Sequence, residues 1–328
     1  MKAEGPYFEE LELGQVFDAA PSVTLSDGLA AVHQSVVGDR LRLPLDCGLS
    51  AAVTGAPGLA HPALVWDVAI GQSTVVTHHV KANLFYRGLV FRRMPHLGDT
   101  LTTTTAVEGL RQNRRRPDRA PTGLVALRIR TVDQHDRDVL DFWRCAMLPL
   151  RADHDTGRAD DLDGIGSGAD LDWTAAVREW DSNALAEMRG AGDPVPEAGQ
   201  QFEVIGGDVV DAATQLARIS LNIARVHHDE HAAGGRRLVY GGHTIGIALS
   251  QASRAFPNLA TVVGWHGCDH VGPVHEGDTL HSLITIEEVV PTSVGAHLVH
   301  LRSEVFAGGP AVDRDRPVLD WRYVALFA

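Results

Sequence analysis

The chain has 328 residues, 44% of them hydrophobic, and a formal net charge of −13. Its length exceeds one small core, so two units of roughly 150 residues are expected. The acidic balance argues against nucleic acid as a partner, because phosphate binding draws on lysine and arginine.

No apolar run approaches the ~20 residues of a bilayer span, so no membrane association is expected. The opening stretch MKAEGPYFEELELGQ is charged and has no apolar core, so no secretory leader is expected and the compartment is read as cytoplasmic. Cys47, Cys145 and Cys268 are far apart and form no CxxC pair, which fits reduced thiols without metal-ligand spacing.

Taken in chain order, the first half carries Gly14-Gln15-x-Phe17 and then Gly38-Asp39-Arg40, with Leu43-Pro44-Leu45 just beyond. His61 to Gln72 is mostly apolar and predicts a buried helix. After Gly98-Asp99-Thr100-Leu101 the stretch TTTTAVEGL has β character, and Leu124 to Val132 alternates apolar and polar residues as a strand does. Between them Arg111, Arg114, Arg115, Arg116 and Arg119 form a basic cluster, readable as a solvated hairpin tip or as an anion site. Arg151 to Gly199 starts acidic and glycine-rich, predicting a mobile linker, while Trp173, Val177, Trp180, Leu185 and Met188 fit a surface helix over 172–189.

The second half repeats the first. Gly277-Asp278-Thr279-Leu280 follows the earlier GDTL by 179 residues, and Val318-Leu319-Asp320 follows Val139-Leu140-Asp141 by the same offset. Two matches at one offset imply the same elements in the same order, hence a tandem duplication. Gly199-Gln200-x-Phe202 extends it to the start of the second copy. His243 to Ala255 supplies the second buried helix, and HSLITIEEVV and Leu298 to Phe306 supply strands. The division expected is 1–150, a linker with surface helix over 151–194, and 195–328.

Leu221 to His243 holds the chemistry: Asn222 stands five residues before His227, and Tyr240-Gly241-Gly242-His243 enters the apolar run of the second helix. A histidine titrates near neutrality and serves as both acid and base. An asparagine can hold a water, and free amides at a helix start suit a developing oxyanion. His227 and His231 share the spacing of a helical metal pair, but HHDEH is not HExxH and no third ligand is placed, so no metal is expected. Asp229 reads as a helix-start residue ahead of Glu230 to Ala233. His266, His270 and His275 read as structural or pocket-lining residues.

These motifs, together with Ala82-Asn83-Leu84, Tyr86-Arg87-Gly88 and Arg237-Leu238-Val239-Tyr240-Gly241-Gly242-His243, resemble the MaoC-like hydratases and dehydratases of acyl-CoA thioesters. The resemblance implies an α+β fold, a tandem double hot-dog in which two antiparallel sheets each wrap a central helix. It also implies reversible hydration of an α,β-unsaturated acyl-CoA, with a branched dicarboxylic group such as mesaconyl among the candidates.

Catalytic roles then fall to Asn222, His227, Gly242, His243 and Thr244. Substrate contacts are expected from Arg225, Arg236, Arg237, Tyr240, Arg40 and Tyr86. For Arg236 and Arg237 a salt bridge to Asp229 or Glu230 competes with CoA phosphates or a second carboxylate. Simple family members carry aspartate where Asn222 stands, which shifts proton transfer onto His227. In the first copy Asp39 is present but Leu43-Pro44-Leu45 replaces the histidine, so that copy is expected to shape the pocket rather than catalyse. No cofactor is expected beyond the CoA thioester itself, and two hot-dog units in one chain leave a homo-oligomer open. The competing readings are a hot-dog thioesterase and a non-catalytic acyl-CoA binding subunit, since fold alone does not fix activity.

Overall fold

The computed structural model describes residues 4–117, 119–168, 171–189, 195–293, 295–309 and 312–328. The first half runs β1 (Val16–Phe17), β2 (Val23–Thr24), α1 (Asp27–Val37), α2 (Arg42–Leu45), α3 (Cys47–Thr54), α4 (Pro62–Gln72), β3 (Ala82–Phe91), β4 (Thr100–Gln112), β5 (Thr122–Val132) and β6 (Asp138–Pro149). After α5 (Ser182–Met188) the second half runs β7 (Gln201–Glu203), β8 (Asp208–Val209), α6 (Ala213–Ile219), α7 (Gly241–Ala255), β9 (Leu259–Asp269), β10 (Thr279–Pro291), β11 (His297–Gly309) and β12 (Val312–Phe327).

α4 begins where the His61 ring accepts the Ala63 amide at 3.1 Å and Pro62 takes the first helical position, which needs no N–H. Every residue from Pro62 to Gln72 is buried, as is Gly242 to Ser253 of α7. A helix enclosed on all sides must be wrapped, and the sheets wrap both. The two helices are tied to their sheets identically. Gln72 donates to the Leu101 carbonyl and accepts from Thr103, while Gln251 donates to the Leu280 carbonyl and accepts from Ser282.

The two expected sheets are joined edge to edge. β3 pairs antiparallel with β9, placing Tyr86 opposite Cys268 and Leu89 opposite Trp265, and the whole forms one 12-stranded sheet. This pairing removes two edges that would otherwise carry unpaired amides and carbonyls. Trp66 of α4 meets Trp265 edge-on at 4.8 Å and Trp321 at 6.1 Å, so the core is continuous across the junction.

The segment after Arg151 is not a free tether. Leu162 is buried with Leu124, Ala126 and Cys145, and Arg158 donates to the carbonyls of Phe8 and Glu9. The long helix expected over 172–189 is a series of turns followed by the short α5, with Val177, Trp180, Leu185 and Met188 all in the core. These aromatic and aliphatic groups pack at a helical period without the chain being helical throughout.

Candidate functional site

Asn222 follows a sharp bend in which Leu221 takes φ 59°, a left-handed conformation that costs a branched residue energy and is held only by its surroundings. Those surroundings come from the first half. The Ile223 amide donates to Thr74 Oγ1 at 3.0 Å, the Arg225 amide donates to the His78 carbonyl at 3.0 Å, and Gly71 packs directly on the Ser220 carbonyl. The relationship is reciprocal. Gly38, with φ 68°, precedes Asp39, and this bend rests on α7 through Ser250 donating to the Gly38 carbonyl and Ser253 accepting from the Arg40 amide. Asp39 Oδ1 accepts from the Leu41 amide as Asn222 Oδ1 accepts from the Ala224 amide, so the two residues hold equivalent positions in the two copies.

His227 closes a short 3-10 turn over Arg225–His227. Its Nδ1 lies 2.9 Å from the Leu238 carbonyl. A carbonyl only accepts, so Nδ1 carries the proton and Nε2 is left as the acceptor. Burial pushes the imidazole down to about 4, with Leu238 opposing and His228 and Arg144 adding to the fall, so the ring is neutral at pH 7. The Tyr240 ring stands edge-on to it at 5.7 Å.

His227 lines a pocket of about 310 Å³ with Thr244, Gly241 and His270 from the second half and Lys81 and Asn83 from the first. His270 is likewise pushed down to about 4, by burial and then by His227. At the start of α7 the His243 amide bonds back to the Tyr240 carbonyl at 2.9 Å. Among the described residues no acceptor meets the Gly241 and Gly242 amides, which stand at the positive end of the helix. Of the three amides expected to meet an oxyanion, that of Gly242 is open, that of His243 is engaged by Tyr240, and that of Thr244 belongs to a residue that lines the pocket. Gly242 is required there by space, because a β-carbon would overlap Asp67 Oδ1 and the Tyr240 ring.

Several expected residues lie away from the pocket. Arg40 is exposed beside Ser253 at the first-half bend. His243 is fully buried behind the helix start, with both ring nitrogens unpartnered and its imidazole held near 4 by burial and by His33. Tyr86 is buried under the pocket, edge-on to His270 at 6.2 Å.

The arginines lie at the rim, in ion pairs other than those expected. Arg236 pairs with Asp278 at 3.4 Å and Arg237 with Glu276 at 3.5 Å, while Arg225 pairs with Asp229 at 3.5 Å. Asp229 Oδ1 accepts the His231 amide in a turn, so it caps no helix. His275 bonds the Arg237 carbonyl at 2.8 Å, and His266 meets His300 at 2.9 Å. Among the described residues no group of three histidine, cysteine or carboxylate side chains could hold a metal ion. A larger groove of about 440 Å³ runs along the exposed arginine hairpin, where Arg115 pairs with Asp153 at 2.9 Å. It lacks the buried, shifted groups that mark a reaction centre, which converge instead on His227.

The first half hides a pair that no motif count revealed. His61 Nε2 lies 3.1 Å from Asp39 Oδ2, so a histidine does meet the aspartate, but it comes from the cap of α4 rather than from the motif position held by Leu43-Pro44-Leu45. Its Nδ1 is occupied by the Ala63 amide, which leaves no free basic nitrogen. The signal available in sequence was His61-Pro62 at a helix start. Asp67, 3.2 Å from His33, is a second buried pair that sequence reading missed.

An antiparallel sheet wrapping two central helices, with a neutral buried histidine facing a helix start, defines the class of double hot-dog hydratases and dehydratases. The chain is 30% identical to the β-methylmalyl-CoA dehydratase of Chloroflexus aurantiacus, over 97% of this chain and 91% of that one. It is 26% identical to the mesaconyl-CoA hydratase of Cereibacter sphaeroides over 94% and 92%. A conserved Mycobacterium tuberculosis protein with a double hot-dog fold superposes with TM-score 0.94 at 54% identity, covering 99% of both chains. A MaoC-domain dehydratase structure from Chloroflexus aurantiacus superposes with TM-score 0.84 at 26% identity, covering 98% and 97%. No protein-family model matches the chain. The chain belongs to the MaoC-like double hot-dog family of CoA-thioester hydratases and dehydratases, and is a hydro-lyase of that type.

Proposed function

We propose that the chain adds water reversibly across the α,β double bond of a short acyl-CoA thioester, at the pocket of the 195–328 half. The observation that carries this reading is the single tautomer of His227: Nδ1 is fixed on the Leu238 carbonyl, so Nε2 is a neutral base at the pocket. Water attacking the β-carbon gives its proton to Nε2 and pushes charge onto the thioester oxygen. The Gly241 and Gly242 amides at the α7 start meet that charge. His227 then returns the proton to the α-carbon, completing hydration; the reverse sequence is dehydration. Asn222, whose Oδ1 is spent on the Ala224 amide, contributes through Nδ2, a donor that orients the water but takes no proton. The reaction draws on neither a metal nor an organic cofactor, because the thioester itself activates the double bond.

The names of the two curated relatives favour a branched five-carbon dicarboxylic acyl group over a medium chain. Incubation with crotonyl-, mesaconyl- and itaconyl-CoA, following enoyl absorbance and free thiol together, tests the reading. Loss of enoyl absorbance without thiol release is expected. Thiol release without hydration would move the assignment to a thioesterase, and binding without either change to a non-catalytic subunit.

A further inference from the structure

Among the described residues Arg144 of β6 is the one buried lysine or arginine, and the proposed mechanism leaves it unused. It is 2% exposed, and among the described residues no carboxylate lies within ion-pair distance of it. Its Nη2 donates to Thr77 Oγ1 at 2.7 Å and to the Ser73 carbonyl at 3.4 Å, the Tyr86 hydroxyl also bonds the guanidinium, and its Nε has no partner among the described residues. A buried guanidinium without an anion is expensive, and such groups persist where a ligand supplies the missing charge.

Its position fits that explanation. Arg144 lies opposite Tyr86 in the β3–β6 register, and Ala146, two residues on, lies opposite Asn83, which lines the pocket. Arg144 and Ala146 share a face of β6, and Tyr86, opposite Arg144, stands edge-on at 6.2 Å to His270, which lines the pocket. In the same pocket, Asn83 Oδ1 and His270 Nε2 are also buried and, among the described residues, without a partner. Unsatisfied polar atoms of this kind suit a polar acyl tail and penalise an apolar one.

We propose that Arg144 binds a carboxylate carried at the far end of the acyl group, selecting short dicarboxylic acyl thioesters over monocarboxylic ones of equal length. The proposal rests on the pocket assignment above and names the residue that sets its specificity. Arginine suits the task because its planar donors meet a carboxylate two at a time. Asp67, the other charged group buried nearby, is engaged by His33 at 3.2 Å and stands beside Gly242 rather than against Arg144.

The test is the ratio of kcat/KM for mesaconyl-CoA to that for crotonyl-CoA, measured for the wild type, Arg144→Met and Arg144→Lys. The wild-type ratio should favour mesaconyl-CoA, Arg144→Met should lower the ratio by roughly 10²-fold, as loss of a charged hydrogen-bonded partner does, and Arg144→Lys should restore part of it. A ratio that Arg144→Met leaves unchanged, with both activities or the melting temperature falling together, would make Arg144 a structural cation and overturn the proposal. Should the methionine variant not fold, a wild type that prefers crotonyl-CoA overturns it equally. If the wild type hydrates neither thioester, the hydratase reading alone fails, and calorimetric affinities of the same two thioesters for the same variants decide the Arg144 question.

Discussion

Gly71 in the last turn of the first central helix lies so close to Ser220 of the second half that a β-carbon at position 71 would overlap the Ser220 carbonyl oxygen. Asn222 and His227 therefore stand on a bend whose foundation is the other copy of the domain. Alanine is intrinsically better than glycine in a helix by ~1 kcal/mol, yet here the obstacle is backbone and cannot swing aside. Overpacking of this kind costs ~1–3 kcal/mol, so Gly71→Ala should lower the melting temperature by several degrees and reduce hydration at the distant pocket. Calorimetry and turnover on one preparation check this; a raised melting temperature would show that the two halves separate freely.

His227→Ala should reduce kcat by ~10²–10⁴ while leaving the fold intact. Its imidazole makes one side-chain bond, to Leu238, so its removal costs little structure. Unchanged turnover in a folded variant would remove His227 from the chemistry.

Stability should fall on acidification. His227, His243 and His270 are each pushed by burial from 6.5 to about 4, so the folded state keeps them neutral while the unfolded chain protonates them. Their contribution is complete above about pH 6.5 and is lost as pH falls towards 4, at ~1.4 kcal/mol per histidine per unit. Urea unfolding at pH 7.5, 6 and 5 should give a falling midpoint, steepest below 6. Hydration should likewise persist at pH 5.5, where an ordinary histidine base would be mostly protonated; an acid limb centred at 6.5 would contradict the buried, neutral His227.

Asn222→Asp should be tolerated. The equivalent bend in the first half already holds Asp39, with the same acceptor role towards the amide two residues on. A melting temperature within a few degrees of the wild type is expected, whereas Asn222→Leu, which leaves the Ala224 amide unsatisfied, should cost ~1–3 kcal/mol. Equal loss in both variants would show that the two bends are not equivalent.

The duplication, the two enclosed helices and the strand-rich ends of each half were legible in the sequence, because each depends on local pattern: GDTL twice at one offset, two mostly apolar stretches, and alternation along strands. Asn222 and His227 drew notice for the same reason, standing five residues apart in one short motif. The ion pairs were not. Arg236 and Arg237 reach Asp278 and Glu276 rather than the neighbouring Asp229 or Glu230, since a long side chain pairs with whatever the fold brings near it.

Pairings between distant elements belong to the tertiary structure alone. Nothing local in the sequence sets Arg144 apart, and only its burial, the register opposite Tyr86 and the bond to Thr77 reveal it as a buried cation. His61 reads in the sequence as the first residue of a buried helix, and only folding makes it the cap and brings it to Asp39. Sequence by itself determined the duplication, the two central helices and the strand-rich ends of each half, because periodicity and short motifs are local. Tertiary structure decided which nitrogen of His227 is left as the acceptor and what supports the bend before it, because each depends on an atom supplied by another part of the chain.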